Sequence, residues 1–371
     1  MQPRAAITVV ATSPIATSPI ATLLVATSFL VAFFAAAVPP RVAAANPPVA
    51  NPAVANPRVA NPLDADRAMS YLEAVCDLGP RPSGSDGMTK QQELLAEHFQ
   101  TLGKTVERQA FSARHPQAGW LGKERVSMTN LIVRWRPELA ERVLLCCHYD
   151  TRPLPDRDPN PRARLSGRFI GANDGGSGVA ALMELGHHLN AIEAELPVGV
   201  DLVFFDGEEF VFSDRDPYFL GSTWFAMQYR DLQKKRNAPY RYRAGVLLDM
   251  VGDAQLTLYI EEHSWWWRDT RPIVQAIWRK AAELGVKEFI ARPKHEIRDD
   301  HVPLRNIGKI PTCDIIDAEY PDAYFGEPGS LWHTEADTPR HCSGESLAKV
   351  GWVVLEWLKD QPPATAGKDS S

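Results

Sequence analysis

The sequence predicts an α/β fold, a three-layer sandwich whose central sheet is mostly parallel and carries helices on both faces. Three observations predict it. Short apolar runs alternate with longer helical stretches. Runs such as Val200–Phe205 read as interior strands covered on both sides. Several of these runs stop at His, Asp or Glu, where the loops after parallel strands carry ligand sites. Composition agrees: 44% hydrophobic and 23% charged residues are ordinary for a soluble enzyme, and the chain after residue 63 is long enough for one large core.

The elements follow in order. Helices are expected at Ala65–Leu78 and Thr89–Leu102, separated by the turn segment Gly79–Gly84, then strands near Thr105–Phe111 and Asn130–Trp135. A strand at Arg142–Cys147 precedes the helix Val179–Leu189, and Val200–Phe205 precedes a helix from Ser222. Strands at Ala244–Leu248 and Leu256–Ile260, a helix near Asp269–Leu284, a strand at Pro311–Ile316 and a closing helix Gly344–Leu358 complete the domain. Trp265-Trp266-Trp267 reads as core packing, with a lid over a pocket as the alternative.

The strand ends carry the chemistry. Val203-Phe204-Phe205-Asp206-Gly207-Glu208-Glu209 delivers two adjacent carboxylates at the end of a buried strand. Burying one ionised carboxylate is costly, and two side by side need a cation. The Arg142–Cys147 strand stops at His148-Tyr149-Asp150, where the histidine can bind metal and the aspartate can orient it. Asp174 sits in the glycine-rich turn Gly171–Gly178, aimed inward or serving only as a helix cap. Asp249 ends the Ala244–Leu248 strand, and Trp332-His333-Thr334 supplies a further imidazole.

Together, His148, Asp174, Glu208, Glu209, Asp249 and His333 form a nitrogen and oxygen ligand set with no cysteine, which suits catalytic zinc with one open position. Glu208 and Glu209 cannot easily reach one atom from adjacent positions. One should bind metal while the other works as a base.

On these residues the chain resembles the α/β zinc aminopeptidase clan of the M28 type and, within it, the glutaminyl-peptide cyclotransferases, over roughly Ala65–Leu358. The carrying motifs are His148-Tyr149-Asp150-Thr151, Asp174 in its Gly/Ser loop, Phe204–Glu209, Leu220-Gly221-Ser222, Leu247–Gly252, Asp299-Asp300-His301-Val302-Pro303 and Trp332-His333-Thr334. The resemblance implies one Zn2+ held by Asp174, Glu209 and His333, with Glu208 moving a proton from the α-amine of an N-terminal glutamine to the departing ammonia. It also implies a hydrogen-bonded acidic pair, Asp249 and Asp299, and a pocket wall at Trp332. His301 would bond to Asp299 or to a substrate carbonyl, with a structural role as the alternative. The substrate would be a peptide or protein with a free N-terminus. The aminopeptidase reading uses the same residues with two zincs: Asp174 bridges, His148 and Asp249 complete one ion, Glu209 and His333 the other, and Glu208 activates water. A non-catalytic member of the clan would have lost ligands; all are retained here.

The chain departs from the cyclase pattern in places. Asp214 stands where the animal enzymes carry a pocket tryptophan, and Arg298 where they carry an amide. The loop Ala318–Leu331 is longer than theirs and offers Tyr320, Tyr324 and Phe325 as aromatic replacements. Their disulfide cannot form, because Val179 occupies the partner position of Cys147.

Residues 1–45 read as an export signal or uncleaved anchor: Arg4 is the only charge before Arg41, and Ile20–Val38 is strongly apolar. The catalytic domain is therefore expected outside the cytoplasm, periplasmic, secreted or attached to a membrane through this segment. Residues 46–63 repeat Asn-Pro-x-Val-Ala, an extended spacer before a catalytic domain at 64–360 and a disordered tail at 361–371. A net charge of −6 and the lack of a basic stripe argue against nucleic acid as a partner. Five cysteines are too few for a disulfide scaffold; adjacent Cys146 and Cys147 should point to opposite faces of their strand.

Overall fold

The computed structural model describes residues 60–118, 124–213 and 215–364. The expected export segment, most of the Asn-Pro repeat, Asp214 and the end of the tail lie outside the described residues. Among those described, no helix is long and apolar enough to cross a membrane.

The fold is α/β, with a mixed, mostly parallel six-stranded sheet. Strands β1 (Val106–Arg114), β2 (Arg125–Trp135), β3 (Glu141–His148), β4 (Gly199–Phe205), β5 (Arg241–Asp249) and β8 (Thr312–Ile316) lie in the order β1-β2-β4-β3-β5-β8. The β1–β2 and β2–β4 pairs are antiparallel, whereas β4, β3, β5 and β8 run parallel. Two short strands, β6 (Leu258–Ile260) and β7 (Phe289–Pro293), pair as a separate parallel ribbon.

Two apolar layers cover the sheet because its strands alternate. Along β3, Val143, Leu145 and Cys147 enter one cluster with the helices Ala65–Asp77, Gly178–Ala191 and Gly344–Lys359. Leu144 and Cys146 enter the other, against Phe225, Ala226 and Tyr229 of the helix Leu220–Gln233. The adjacent cysteines thus face opposite layers, as the two-residue strand period requires. All five cysteines are free. The tryptophan triplet is divided: Trp265 is buried, Trp266 is 56% exposed, and Trp267 stacks on His263 at 5.2 Å between centroids.

A buried charge interrupts the interior strand. Asp201 of β4 accepts from the Arg142 guanidinium (Nε–Oδ1 3.0 Å) and from the Tyr242 hydroxyl, so it is neutralised by its neighbours β3 and β5. Arg142 in turn donates to the Trp135 and Arg136 carbonyls. A buried aspartate in an apolar strand is tolerable only with such partners.

The parallel strands place their C-terminal ends side by side. His148 ends β3, Asp249 ends β5, and Asp206-Gly207-Glu208-Glu209 follows β4. Asp174 lies in the tight turn Ala172–Ser177 that opens the helix Gly178–Ala191. Gly175 there has φ +83°, and a Cβ would come within 2.7 Å of the Asp150 carbonyl and 2.9 Å of His148 Cε1. Only glycine lets this turn press against the end of β3.

Candidate active site

The strand-end residues converge in two groups that share Asp174. His148, Asp174 and Asp249 form one; Asp174, Glu209 and His333 form the other, and within each the candidate ligand atoms lie within 4.8 Å of one another. Asp174 divides its carboxylate between them. Its Oδ1 is 3.3 Å from His148 Nε2, and its Oδ2 is 3.3 Å from His333 Nε2. Glu209 Oε2 is also 3.3 Å from His333 Nε2.

These atoms fit a metal. Asp174 Oδ2, Glu209 Oε2 and His333 Nε2 are buried and make no hydrogen bond, a costly arrangement unless a cation satisfies them. Tetrahedral zinc with bonds of about 2.0–2.1 Å keeps its ligand atoms about 3.3–3.4 Å apart. The group containing His148 differs, because His148 Nε2 hydrogen-bonds to Asp249 Oδ1 at 3.2 Å.

Supporting residues fix each ligand. Asp150 accepts the backbone N–H groups of Glu208 (3.1 Å) and Glu209 (3.0 Å), pinning both carboxylates. Asp337 does the same for Asn173 (2.8 Å) and Asp174 (3.1 Å). Arg152 Nη1 donates to Glu209 Oε1 at 3.0 Å, and Asp156 Oδ1 lies 3.1 Å from His333 Nδ1. His333 has φ +56°, a left-handed backbone rare for a side-chain-bearing residue, and this turn aims its ring into the site. Of these partners the sequence suggested Asp150 alone, as an orienting group. Arg152, Asp156 and Asp337 carried no motif; the nearest signal was the four-residue spacing of Arg152 from His148 and of Asp156 from Arg152.

The electrostatics separate the two adjacent glutamates. Burial, and then the charge of Glu209, hold the Glu208 carboxyl well above the usual carboxylate range. Burial also raises Glu209, but Arg152 and His333 outweigh it and the net shift is downward. The result is a candidate ligand of lowered basicity beside a carboxyl of raised basicity. Burial lowers His333, yet Glu209 and its other acidic neighbours bring it up to about 10. Burial likewise lowers His148, and hydrogen bonds that its ring donates to Asp150, Asp174 and Asp249 reverse the sign. Both imidazoles thus report how much positive charge these carboxylates require.

A cavity of about 610 Å³ opens over Asp174, Glu208, Glu209, Asp249, Asp299 and His333. Trp332, Tyr324 and Phe325 also line it. Four rings of its wall stack in sequence, Tyr324 on Phe325 (5.6 Å), Phe325 on Trp332 (4.9 Å) and Trp332 on His333 (3.6 Å), and His295 stacks on Tyr324 (4.3 Å) from outside the cavity lining. The aromatic replacements expected from the long loop are therefore Tyr324 and Phe325. Tyr320 is buried behind them, donating its hydroxyl to Asp337 at 2.9 Å.

Two expectations are corrected. Asp249 and Asp299 do not form a hydrogen-bonded pair: Asp249 takes His148, while Asp299 Oδ1 accepts from the Asp300 N–H and its Oδ2 has no hydrogen-bond partner. Burial, and then the charges of Asp249 and Asp300, raise Asp299 well above the carboxylate range, so the two still sense one another. His301 is not on the pocket wall. It is fully buried behind it, its Nε2 3.4 Å from Glu261 and its Nδ1 3.6 Å from Asp314, because the short helix His301–Asn306 turns it away from the cavity.

The fold and the paired carboxylate–imidazole groups define the class: the chain belongs to peptidase family M28, whose model matches residues 130–358. Among solved structures it is similar to a glutaminyl cyclase from Fimbriiglobus ruber, 38% identical with a TM-score of 0.74, covering 83% of this chain and 99% of that one. A leucine aminopeptidase precursor from Bacteroides thetaiotaomicron is 29% identical with a TM-score of 0.69, covering 82% of this chain and all of that one (100%). A glutaminyl-peptide cyclotransferase-like protein of Mus musculus is 28% identical over 299 residues, 76% of this chain and 72% of its own.

Proposed function

We propose that this protein is a glutaminyl-peptide cyclotransferase, closing an N-terminal glutamine to pyroglutamate with release of ammonia. The observation that carries this reading is the acidic wall Glu208, Asp249 and Asp299, which lies in the cavity beside a single group of unpartnered ligand atoms. A hydrolase needs one base beside its metal, with Asp249 spent as a ligand. Here Asp249 is bonded to His148, and Asp299 adds a third carboxyl suited to holding a substrate amine. Similarity to the Fimbriiglobus ruber enzyme supports the same reading.

Asp174, Glu209 and His333 would hold one Zn2+, which when bound polarises a carbonyl as a Lewis acid. Asp249 and Asp299 receive the α-amine and orient its lone pair toward the side-chain amide carbon. As the α-nitrogen bonds to that carbon and the carbon–amide nitrogen bond breaks, Glu208 takes a proton from the attacking amine and returns it to the leaving nitrogen. Ammonia departs with atoms and charge balanced. Glu208 suits both halves because burial, and then the charge of Glu209, make its carboxyl more basic than an ordinary glutamate. Trp332 presents a flat wall to the glutamine side chain. The apolar segment Ile20–Val38 supports action outside the cytoplasm.

One observation favours a second reading, a two-zinc aminopeptidase: Asp174 turns one oxygen toward each histidine, the posture of a bridging ligand. Incubating the zinc-loaded protein with an N-terminal glutamine peptide and, in parallel, with leucine and alanine anilides separates the two. Ammonia release without aniline release supports the cyclase; aniline release from a protein holding two zincs per chain overturns it.

A further inference from the structure

The cavity has opposite charge at its floor and its rim. Glu208, Asp249 and Asp299 line the floor, whereas Arg157 and Arg298 line the exposed rim. The arginines are tied to the floor through the backbone. The Arg157 N–H donates to the His333 carbonyl at 3.1 Å, and Arg298 directly precedes Asp299. The Arg157 guanidinium lies 5.7 Å from the centre of the Trp332 ring, so the aromatic wall carries a positive edge. Arg298 has no ion-pair partner among the described residues. Glu296 shares the rim but is 3.6 Å from His263.

We infer that this rim selects peptides with an acidic side chain immediately beyond the N-terminal residue. The inference rests on the cyclase reading, which sets the N-terminal amine against the acidic floor. An extended chain advances about 3.3–3.6 Å per residue, so a peptide whose amine meets Asp299 leads its next residues out toward the rim that Arg298 lines. Aspartate or glutamate there meets positive charge, and lysine or arginine meets like charge. The attraction acts across a solvent-facing rim and weakens with added salt. Its direction is fixed by the polarity of the cavity, since an amine and a carboxylate one or two residues apart match floor and rim in only one orientation.

The test compares amidated peptides Gln-Glu-Ala, Gln-Ala-Ala and Gln-Lys-Ala with the zinc-loaded full chain, reading kcat/KM from ammonia release. Gln-Glu-Ala is expected to exceed Gln-Lys-Ala by about two- to fivefold, the range one solvent-facing ion pair provides. Arg298→Ala should bring that ratio toward one, and Glu296→Ala should widen it. A ratio of one in the unmodified protein, or one unchanged by Arg298→Ala, overturns the inference. If no glutamine peptide is turned over, it is the cyclase reading that fails. The rim preference is then read from calorimetric affinities of the same peptides, where equal binding of the Glu and Lys peptides overturns it.

Discussion

Arg152 and Glu209 form a buried ion pair, with the guanidinium 3.0 Å from Oε1 and both side chains almost wholly shielded from water. The pair holds one oxygen of the glutamate and leaves the other, Oε2, directed at His333. A cation bound there would meet a ligand whose rotamer is already fixed.

Arg152→Met is therefore expected to strand a buried carboxylate. Removing one partner of a buried pair costs roughly 3–5 kcal/mol, and a bound cation would offset part of that. Thermal melts with and without zinc check this: the variant should melt well below the parent without metal, and zinc should narrow the gap. Equal melting temperatures in both conditions would remove the assigned role.

Glu208→Gln keeps the shape and the ligand set but cannot carry a proton. Turnover of an N-terminal glutamine peptide should fall at least ~100-fold while zinc content stays unchanged. Metal analysis alongside initial rates distinguishes a lost base from a lost ion.

His148→Ala separates the two metal readings. A single zinc on Asp174, Glu209 and His333 predicts an unchanged zinc-to-protein ratio. Loss of one of two bound zincs, by elemental analysis of the dialysed variant, would instead favour the aminopeptidase arrangement.

A pH effect is expected away from the site. Burial against the helix Gly178–Ala191 lowers the His98 pKa from 6.5 to about 4, and the ring hydrogen-bonds to the Met183 carbonyl at 3.1 Å. The unfolded chain binds a proton below pH 6.5, and the folded chain does not until about pH 4. The stability of neutral His98 is thus full above pH 6.5 and is lost as pH falls through that window. Between pH 7 and 5 the expected loss is about 2 kcal/mol. Urea unfolding of His98→Gln, which keeps a donor for Met183, should show a correspondingly smaller drop.

Much of this architecture was legible from local pattern. The Arg142–Cys147 and Val200–Phe205 runs are strands because their apolar residues fill both layers, and they end at His148 and at the Asp206-Gly207 turn that leads into Glu208. The turn at Asp174 announced itself through glycines that the close approach of Gly175 to Asp150 explains. Arg152, Asp156 and Asp337 stayed hidden because they act across gaps no local period spans; Asp337 binds Asn173 from 164 residues away. The β7 strand escaped notice because Ile290, Ala291 and Arg292 remain partly or fully exposed, leaving no apolar run to read. The Asp249–Asp299 bond failed for a further reason: a strand-end histidine competes for the same carboxylate, and sequence does not reveal which partner wins.

The ring stack from His295 to His333 joins the outer loop to an imidazole of the metal group through direct face contacts. If the proposed metal site holds, substrate range and metal affinity are expected to be coupled through these rings. A substitution at Tyr324 or Phe325 is therefore expected to shift Trp332 and, through it, the His333 ring, so a loop grafted from a relative should change zinc affinity along with peptide preference.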